Sequence, residues 1–472
     1  MNDDNCGTTL AVDLLTPFPR SRTMHRTVFT IVSFEGTDAY SQAGGLGVRV
    51  AGLARTLAEL GHETHLFFIG DPFLPGEEPQ ATTPARPALH RWGQWISAYH
   101  PGGVYDGEED KARDLTRSLP GYLVDRVIRP AIASGATPVV LLEEWQTAEC
   151  AYALSDLLVA EGLRDRTVIF WTANNSYGFH RINWLRLAAS VTVTTISRYM
   201  RSIIRSHGVD AQVIPNGIPS ELLRAMNRPE IGSVGSVVRA SSVNLFFKMA
   251  RWEREKGWLQ ALGAVSELRR RGRHPLLVAR SGGPSSGGGG LLEAATARGL
   301  CVVEVNDEPG LVAALDDAPR IGTEVINLCF GVTPQLARQL FASSDAVLAN
   351  SIYEPFGLVG LEAMAAGGII YTGGTGEDYA VDGRNAVVLQ TLDPEEIATR
   401  WAEVDAAPLR ATRIRRAARH TARDYSWQRV AAVLLERVAA QAARQGILRL
   451  AQVLAPPGSY PNGLSEGVVV AS

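Results

Sequence analysis

The chain has few cysteines, little net charge and no long apolar run. Its 472 residues include four scattered cysteines, Cys6, Cys150, Cys301 and Cys329, without a Cys-x-x-Cys pair. This pattern argues against a disulfide framework or a zinc site and favours a reducing compartment. The formal net charge of −3 gives no global attraction to nucleic acid or anionic membranes. No stretch approaches the ~18 apolar residues of a membrane helix, and the start lacks a signal peptide's basic and apolar segments. We expect a cytoplasmic protein that has no transmembrane segment and does not bind nucleic acid.

Two nucleotide-binding motifs are also missing. A glycine loop, Gly44–Gly47, follows the first predicted strand, but Val50 stands where the dinucleotide fingerprint needs its third glycine. The loop also lacks the Gly-Lys-Ser/Thr end of a phosphate loop. Both absences weaken the oxidoreductase and nucleotide-hydrolase interpretations.

Short apolar runs alternate with helical patterns along most of the chain. Such runs, separated by helices, predict parallel strands buried on both faces, and hence a doubly wound α/β architecture. The predicted strands form two series. They are Val28–Ser33, Thr64–Ile69, Val139–Leu142, Val168–Trp171 and Val191–Ile196, then Val243–Met249, Leu276–Ala279, Cys301–Val305, Val325–Leu328, Ala346–Ala349, Ile369–Thr372 and Ala386–Leu389.

The two series meet at strong turn residues, 215–219, and a Gly- and Ser-rich stretch. We therefore predict two Rossmann-like domains that face each other across a cleft, a natural place for two substrates. The predicted divisions are a flexible tail 1–26, an N-terminal domain 27–226, a linker 227–242, a C-terminal domain 243–424, a C-terminal helix 425–445 and a second tail 446–472.

The glycine loop is the first candidate binding element. Gly44 and Gly45 precede a helix whose apolar residues recur at steps of three and four, from Leu46 to Leu60. Glycines allow backbone N–H groups to approach a ligand, and the helix N-terminus favours phosphate. A tight turn without a ligand remains the alternative.

The second candidate element lies between Ala349 and Met364. Glu354 falls on a loop after a predicted strand, and Glu362 falls about one turn into the following helix. The helix N-terminus at Gly357 and Leu358 presents free N–H groups. Two carboxylates beside such a helix end suit a polyol joined to an anion, with the diphosphate on the helix end. The alternative is a solvated helix face.

This stretch resembles the donor site of retaining GT-B glycosyltransferases, the family of sucrose synthase, sucrose-phosphate synthase and the glycogen and starch synthases. The resemblance rests on Glu354 and Glu362, with seven residues between them, and on the Pro-Phe-Gly, including Phe356, that follows the first. It implies a GT-B fold, an N-terminal acceptor domain, a C-terminal nucleotide-sugar donor domain and a final helix, 425–445, that crosses back to the N-domain. Gly44 and Gly45 are similar to the family's N-terminal glycine loop.

Arg251 and Lys256 resemble the family's Arg…Lys-Gly element, in which both cations hold the donor diphosphate. Independently, cations at a strand's carboxyl end lie where open α/β sheets bind anions. The chain has no Asp-x-Asp pair, so we expect these cations to replace a divalent metal in stabilising the leaving group. Ordinary surface cations are the alternative.

The chain departs from the family pattern at two positions. Asn174 stands where many members have a histidine that contacts the donor sugar, and an amide cannot take up charge. Gln42 stands where glycogen and starch synthases have a lysine. His180 lies close to Asn174 at a different spacing. These departures leave the sugar and the acceptor chemistry open.

The resemblance implies retaining, metal-independent transfer of a hexosyl group from a nucleotide-diphosphate sugar to an acceptor. UDP, ADP and GDP donors all fit, and no further cofactor is expected. Glu354, Arg251, Lys256 and Asn174 are the predicted catalytic residues. The alternatives are a relative with altered chemistry, such as a pseudoglycosyltransferase or an epimerase, and a catalytically silent nucleotide-sugar-binding protein. Aromatic residues able to stack on an acceptor sugar, or merely to pack, are Trp92, Trp95, Tyr99 and Tyr105.

Overall fold

A computed structural model of the chain describes residues 26–226, 230, 232–241, 243–282 and 289–447. The predicted tails lie outside the described residues, apart from residue 26 and residues 446–447. No helix in the described part is long and apolar enough to cross a bilayer. The cytoplasmic location expected from the sequence stays a prediction.

The first half of the chain forms an eight-stranded sheet. Its strand order is β10-β9-β8-β7-β1-β2-β6-β3, and all neighbours are parallel except β3 and β6. Two further strands pair as a small hairpin. The strands are β1 (Thr27–Val32), β2 (Glu63–Ile69), β3 (Glu77–Glu78), β4 (Ala81–Thr82), β5 (Ala85–Arg86), β6 (Ala88–Trp92), β7 (Thr137–Glu143), β8 (Val168–Ala173), β9 (Thr192–Thr195) and β10 (Gln212–Val213).

Helices cover both faces of this sheet, which is why the central strands are buried throughout. Every residue of β7, for example, is buried, as expected for a parallel sheet between two helical layers. The helices are α1 (Gly45–Glu59), α2 (Gln94–Ser97), α3 (Glu108–Leu123), α4 (Arg129–Ala133), α5 (Ala148–Ala160), α6 (Trp184–Ser190) and α7 (Arg198–Ser206).

The second half forms an all-parallel, seven-stranded sheet in the order β13-β14-β12-β11-β15-β16-β17. Its elements are α8 (Gly232–Ala240), β11 (Asn244–Met249), α9 (Trp258–Arg270), β12 (Pro275–Arg280), α10 (Gly289–Thr296), β13 (Val302–Val305), α11 (Glu308–Ile321), β14 (Val325–Leu328), α12 (Pro334–Ser343), β15 (Ala346–Ala349), α13 (Leu358–Ala366), β16 (Ile370–Thr372), β17 (Val387–Val388), α14 (Pro394–Asp405), α15 (Pro408–Arg423) and α16 (Trp427–Arg444). The predicted fold class, two doubly wound α/β units, is confirmed.

The strand order places a ligand crevice in each half. β1 lies between β2 and β7, and β11 lies between β12 and β15. The chain runs from β1 towards one edge of the first sheet and from β7 towards the other edge, and it does the same from β11 and β15 in the second sheet. Such switch points open a crevice at the carboxyl ends of the strands. The glycine loop follows β1, and the loop that carries Arg251 and Lys256 follows β11. The glycine loop and the loop that carries Arg251 and Lys256 therefore each lie at a switch point.

Part of the predicted linker is a helix. Residues 232–240 form α8, which buries Val234 and packs against α11 and α12. Its glycine and serine residues are typical of a flexible linker, but the buried side chain of Val234 attaches this segment to the second half of the chain. The rest of the predicted linker, 227–229, 231 and 242, lies outside the described residues.

The last helix, α16, returns to the first sheet. Trp427, Val430, Leu434 and Val438 are buried in one apolar cluster with the inner face of α1 and with β1. The crossing is fixed by a backbone bridge between Ile218 and Ser426. The N-terminal core therefore contains residues from both ends of the described chain.

Candidate active site between the two sheets

A cleft of about 1290 Å³ separates the carboxyl ends of the two sheets. One wall comes from the loops after β1, β7 and β8, and the opposite wall from the loops after β11 and β15 together with the start of α13. The predicted site residues that line it are Gly44, Gly45, Asn174, Arg251, Lys256, Glu354, Phe356, Gly357 and Leu358. Glu362 is the one predicted site residue that is absent from this lining.

The centre of the second wall is an ion pair. Lys256 Nζ lies 2.9 Å from Glu354 Oε2, and both side chains are largely buried. Ser351 Oγ donates a second hydrogen bond to the same oxygen, at 3.1 Å. The pair joins the loop after β11 to the loop after β15, so the two predicted donor-site residues contact each other across about one hundred positions of sequence.

The start of α13 faces the cleft beside this pair. Gly357 adopts a φ of 82°, which favours glycine, and no side chain caps the helix. A Cβ at Gly357 would also lie 2.8 Å from Tyr379 Oη. Phe356 is buried and packs on Tyr379 and Tyr425, so it holds the loop in place. The exposed helix N-terminus provides the positive end of a dipole, as the sequence predicted.

Arg251 and Glu362 lie less centrally. The Arg251 side chain is largely exposed at the cleft edge, and its guanidinium pairs with Glu253 at 3.0 Å. Glu362 lies one turn into α13 with its carboxyl withdrawn from solvent, and this burial raises its pKa to about 7. A carboxyl with this pKa can both donate and accept a hydrogen bond near neutrality.

A buried lysine that the sequence did not single out lies behind the ion pair. Lys248 is the last residue but one of β11, and its Nζ donates to Leu348 O at 3.1 Å and to Asn350 Oδ1 at 2.7 Å. Burial, and then the charge of Lys256, lower its pKa to about 7. Asn350 in turn donates to Gly257 O at 3.0 Å. Lys248 and Asn350 thus connect the loop after β11 with the loop after β15, and we call these two loops the donor loops.

Lysine is rare in this chain. The sequence holds three, at positions 111, 248 and 256, among 46 basic residues. Two of the three line the same cleft wall. A lysine is a compact point charge that loses its proton on burial more readily than arginine. The rarity of lysine is the one signal in the sequence that points to Lys248, and it does not reveal the contact with Asn350.

The first wall is built around a carboxylate that the sequence did not predict. The buried Glu35 accepts hydrogen bonds at Oε2 from the backbone N–H groups of Ala43, Gly44 and Gly47, at 3.2, 2.8 and 2.9 Å. Tyr105 Oη donates to its Oε1 at 2.6 Å. The glycine loop therefore binds an anion, but the anion belongs to the protein.

Asn174 is held by two buried glutamates. Its Nδ2 donates to Glu143 Oε2 at 2.7 Å, and its backbone N–H donates to Glu144 Oε1 at 2.7 Å. Glu143 also pairs with the buried Arg49 at 3.1 Å. Desolvation of its fully buried carboxyl raises the pKa of Glu144 to about 8. His180 also lines the cleft.

Glu144 has an unusual backbone. Its φ is 71°, the one positive φ of a non-glycine residue in the described part of the chain. Strained residues of this kind persist where the surroundings hold them, and they often lie at functional sites. Thr147 Oγ1 and Trp171 Nε1 both donate to the Glu144 carbonyl, at 2.9 and 3.0 Å.

Of the four aromatic residues proposed for an acceptor, only Tyr105 lines the cleft. Trp95 and Tyr99 are mostly exposed and border a separate, smaller pocket. Trp92 lies in β6, where its Nε1 donates to Ser118 Oγ at 2.7 Å. Trp145 and Tyr177, which the sequence did not propose, are the other aromatic residues of the first wall.

The structure has the GT-B fold. It superposes on sucrose-phosphate synthase from Thermosynechococcus elongatus with a TM-score of 0.62, at 15% identity, over 89% of this chain and 100% of that one. The catalytic domain of starch synthase IV from Arabidopsis thaliana, bound to ADP and acarbose, gives a TM-score of 0.62 at 16% identity, over 89% of this chain and 100% of that one.

Sequence comparison agrees with the fold. Residues 322–421 match the family model for glycosyl transferases group 1. The chain is 25% identical over 425 residues to D-inositol 3-phosphate glycosyltransferase of Paenarthrobacter aurescens, covering 84% of this chain and 92% of that protein. The resemblance inferred from the sequence is confirmed: the chain has the GT-B fold of sucrose-phosphate synthase and starch synthase, and its second half carries a group 1 glycosyl transferase region. Glycosyl transfer is the activity that the family match and the curated relative support.

Proposed function

We propose that the protein transfers a hexosyl group from a nucleotide-diphosphate sugar, with retention at the anomeric carbon and without a metal ion. The observation that carries the proposal is the convergence of Lys256, Glu354 and the N-terminus of α13 on one wall of the cleft. A cation and a helix end stabilise the diphosphate that leaves, and a carboxylate accepts hydrogen bonds from the sugar hydroxyls.

In this proposal a bound donor takes the place of the ion pairs that the site residues form with neighbouring side chains. A diphosphate bound at the helix end attracts Lys256 away from Glu354, which frees the carboxylate for the sugar. Arg251 is exposed and close enough to swing its guanidinium onto the same diphosphate. Glu362 accepts or donates to the ribose, a role that its pKa of about 7 allows at neutral pH.

Asn174 takes the position of the family's histidine on the first wall. Its side-chain nitrogen is committed to Glu143, and its Oδ1 has no hydrogen-bond partner in the described part of the structure. The altered-chemistry and silent-binder alternatives are not favoured, since the curated relative of similar length is a glycosyltransferase.

The test begins with donor binding. The purified protein is heated with UDP-, ADP- and GDP-sugars, and a donor that binds only the folded state raises the melting temperature. We expect a shift with one donor and its loss in Lys256→Ala. Arg254→Ala is the matched control, because Arg254 lies on the same turn, exposed and outside the cleft lining.

Turnover then tests the chemistry. Release of nucleoside diphosphate with EDTA present supports metal independence, and full loss of activity that magnesium restores would contradict it. The anomeric configuration of the product, read by proton NMR, separates retention from inversion. A protein that binds no nucleotide sugar at all would overturn the proposed function.

A further inference from the structure

The wall opposite the cations carries negative charge. The first wall of the cleft consists of the lining residues before position 217, and we call it the acceptor wall. Its charged side chains are Glu35 and Glu108, since the buried Glu144 keeps its proton at neutral pH with a pKa of about 8, and no described lining residue of this wall is an arginine or a lysine. The one basic group there is His180. The cations of the cleft, at positions 248, 251 and 256, all belong to the opposite wall.

The usual place for a phosphate on the acceptor wall is already occupied. Backbone N–H groups at the start of a helix bind phosphate in many α/β proteins. Here the N–H groups of Ala43, Gly44 and Gly47 point to the buried carboxylate of Glu35. A phosphate brought to this loop would face the like charge of the Glu35 carboxylate, which already takes three of the loop's donors.

Cations near the acceptor wall are committed elsewhere. Arg49 is buried against Glu143, and Arg181 pairs with Glu109 at 2.7 Å. Lys111 donates to three backbone carbonyls and to Tyr40 Oη. None of the three belongs to the cleft lining. The described lining of the acceptor wall therefore offers no arginine or lysine to neutralise an anionic acceptor.

Buried polar atoms of the same wall have no hydrogen-bond partner. Within the described residues these are Trp145 Nε1, Gln146 Oε1 and Asn174 Oδ1. A buried polar atom without a partner costs free energy, so these atoms indicate that a ligand with hydroxyl or amino groups completes the wall. One of the three atoms donates and two accept; a hydroxyl group matches both needs, and an ammonium group supplies further donors for the two acceptors.

We propose that the acceptor is a sugar or cyclitol that carries no phosphate, and that an amino substituent strengthens its binding. Glu108 provides the charge for an ammonium group, since one of its oxygens accepts from Gln146 Nε2 at 2.8 Å and the other has no such bond. The proposal rests on the glycosyl-transfer function proposed above.

Binding of two matched pairs of compounds tests it. Myo-inositol is compared with D-inositol 3-phosphate, and glucosamine with glucose, by ligand-observed NMR, with and without the nucleotide sugar that raises the melting temperature. We expect the phosphorylated compound to bind at least roughly tenfold more weakly than myo-inositol. We expect glucosamine to bind roughly fivefold more tightly than glucose, as one partly screened ion pair allows.

Two variants locate the effect. Glu108→Gln should remove the preference for glucosamine, while Asp110→Asn, which loses the same charge on the same helix outside the cleft lining, should keep it. Glu35→Ala should free the N–H groups of the loop and allow D-inositol 3-phosphate to bind. If that variant does not fold by circular dichroism, Glu108→Gln decides the preference alone.

The outcomes separate this proposal from the general function. Equal binding of D-inositol 3-phosphate and myo-inositol overturns the exclusion of phosphate, and equal binding of glucosamine and glucose overturns the amine preference. Binding of none of the four compounds overturns both. Failure to bind or hydrolyse any nucleotide sugar instead contradicts the proposed function, because acceptor binding is measured independently of turnover.

Discussion

Lys256 and Glu354 form an ion pair across the two donor loops, with Nζ 2.9 Å from Oε2. Each residue is predicted to bind a different part of the donor, so the pair has to open when a donor enters. While the pair is formed, neither the cation nor the carboxylate lies unpaired in this largely buried place, where an unpaired charge would cost free energy. Without a donor, the two residues therefore neutralise each other's charge.

Replacing Glu354 tests this relationship. Glu354→Gln keeps the size of the side chain but removes the charge, so we expect the transfer rate to fall by roughly 100-fold or more, as when a preorganised polar group at a reacting centre is lost. The fold should stay intact. The rate of transfer in saturating donor checks the prediction, with the exposed Glu395→Gln as a control.

Lys248 should make donor binding depend on pH. Its pKa of about 7, against an ordinary 10.5, leaves the folded protein without this charge above pH 7. The donor diphosphate favours the charged lysine, so the donor should bind roughly tenfold more weakly at pH 9 than at pH 6.5, the effect of about one pKa unit. The diphosphate of a nucleotide sugar does not itself titrate in this range, and the variant below controls for ionisation of the base.

Calorimetric titration at the two pH values measures the effect, and Lys248→Met provides the comparison. The variant lacks the titrating amine, so its donor affinity should change much less with pH. An identical pH dependence in the variant would show that another group is responsible.

Glu144 should make folding stability depend on pH in the opposite sense to an ordinary glutamate. Its pKa is about 8 in the folded protein and 4.5 in the unfolded reference. The folded state therefore holds a proton that the unfolded chain has released between these values. Since stability falls with pH wherever the folded state binds more protons, the contribution of Glu144 is present below pH 4.5 and is lost as pH rises to 8.

The difference in melting temperature between the wild type and Glu144→Gln isolates this contribution. Glu362 and Glu377 have raised pKa values as well, but they are common to both proteins. We expect the wild type to lose stability relative to the variant between pH 6 and pH 9. A constant difference would mean that Glu144 does not titrate in this range.

Trp427 should be essential to stability. It begins α16, is buried, and contacts α1 so closely that a Cβ on Gly52 would lie 2.4 Å from the indole. Trp427→Ala should cost about 3–5 kcal/mol of unfolding free energy through the lost contacts and the cavity left behind. Urea denaturation measures it, and the exposed Leu409→Ala should change stability little.

The sequence predicted the strands well because each central strand is a short β-branched or aromatic run. Val325–Leu328 and Ala346–Ala349 agree at both ends with the structure. β6 was missed because it reads Ala-Leu-His-Arg-Trp. Arg91 within it can be buried because Asp38, a distant residue, pairs with it at 2.8 Å and Glu78 pairs with it at 2.6 Å. Partners that lie far apart in sequence cannot be read from a local pattern.

The same reason limits what could be predicted of the site. Glu354 and Lys256 belong to motifs with recognisable spacing, so they could be placed in advance. Lys248 looked like an ordinary residue of a strand, and only the pairing of β11 with β15 brings it to Asn350. Glu35 looked like a loop residue, and only the fold of the glycine loop brings three N–H groups to its carboxylate.

The return of α16 to the first sheet has a consequence for synthesis. The first two hundred residues leave the ribosome well before the helix that covers α1, so the apolar stripe of α1 stays open while the second half is made. Nascent domains usually fold in the order in which they emerge. In this protein the N-terminal half reaches its final packing only after the C-terminal half has appeared, and a chain that stops before Trp427 leaves that half incomplete.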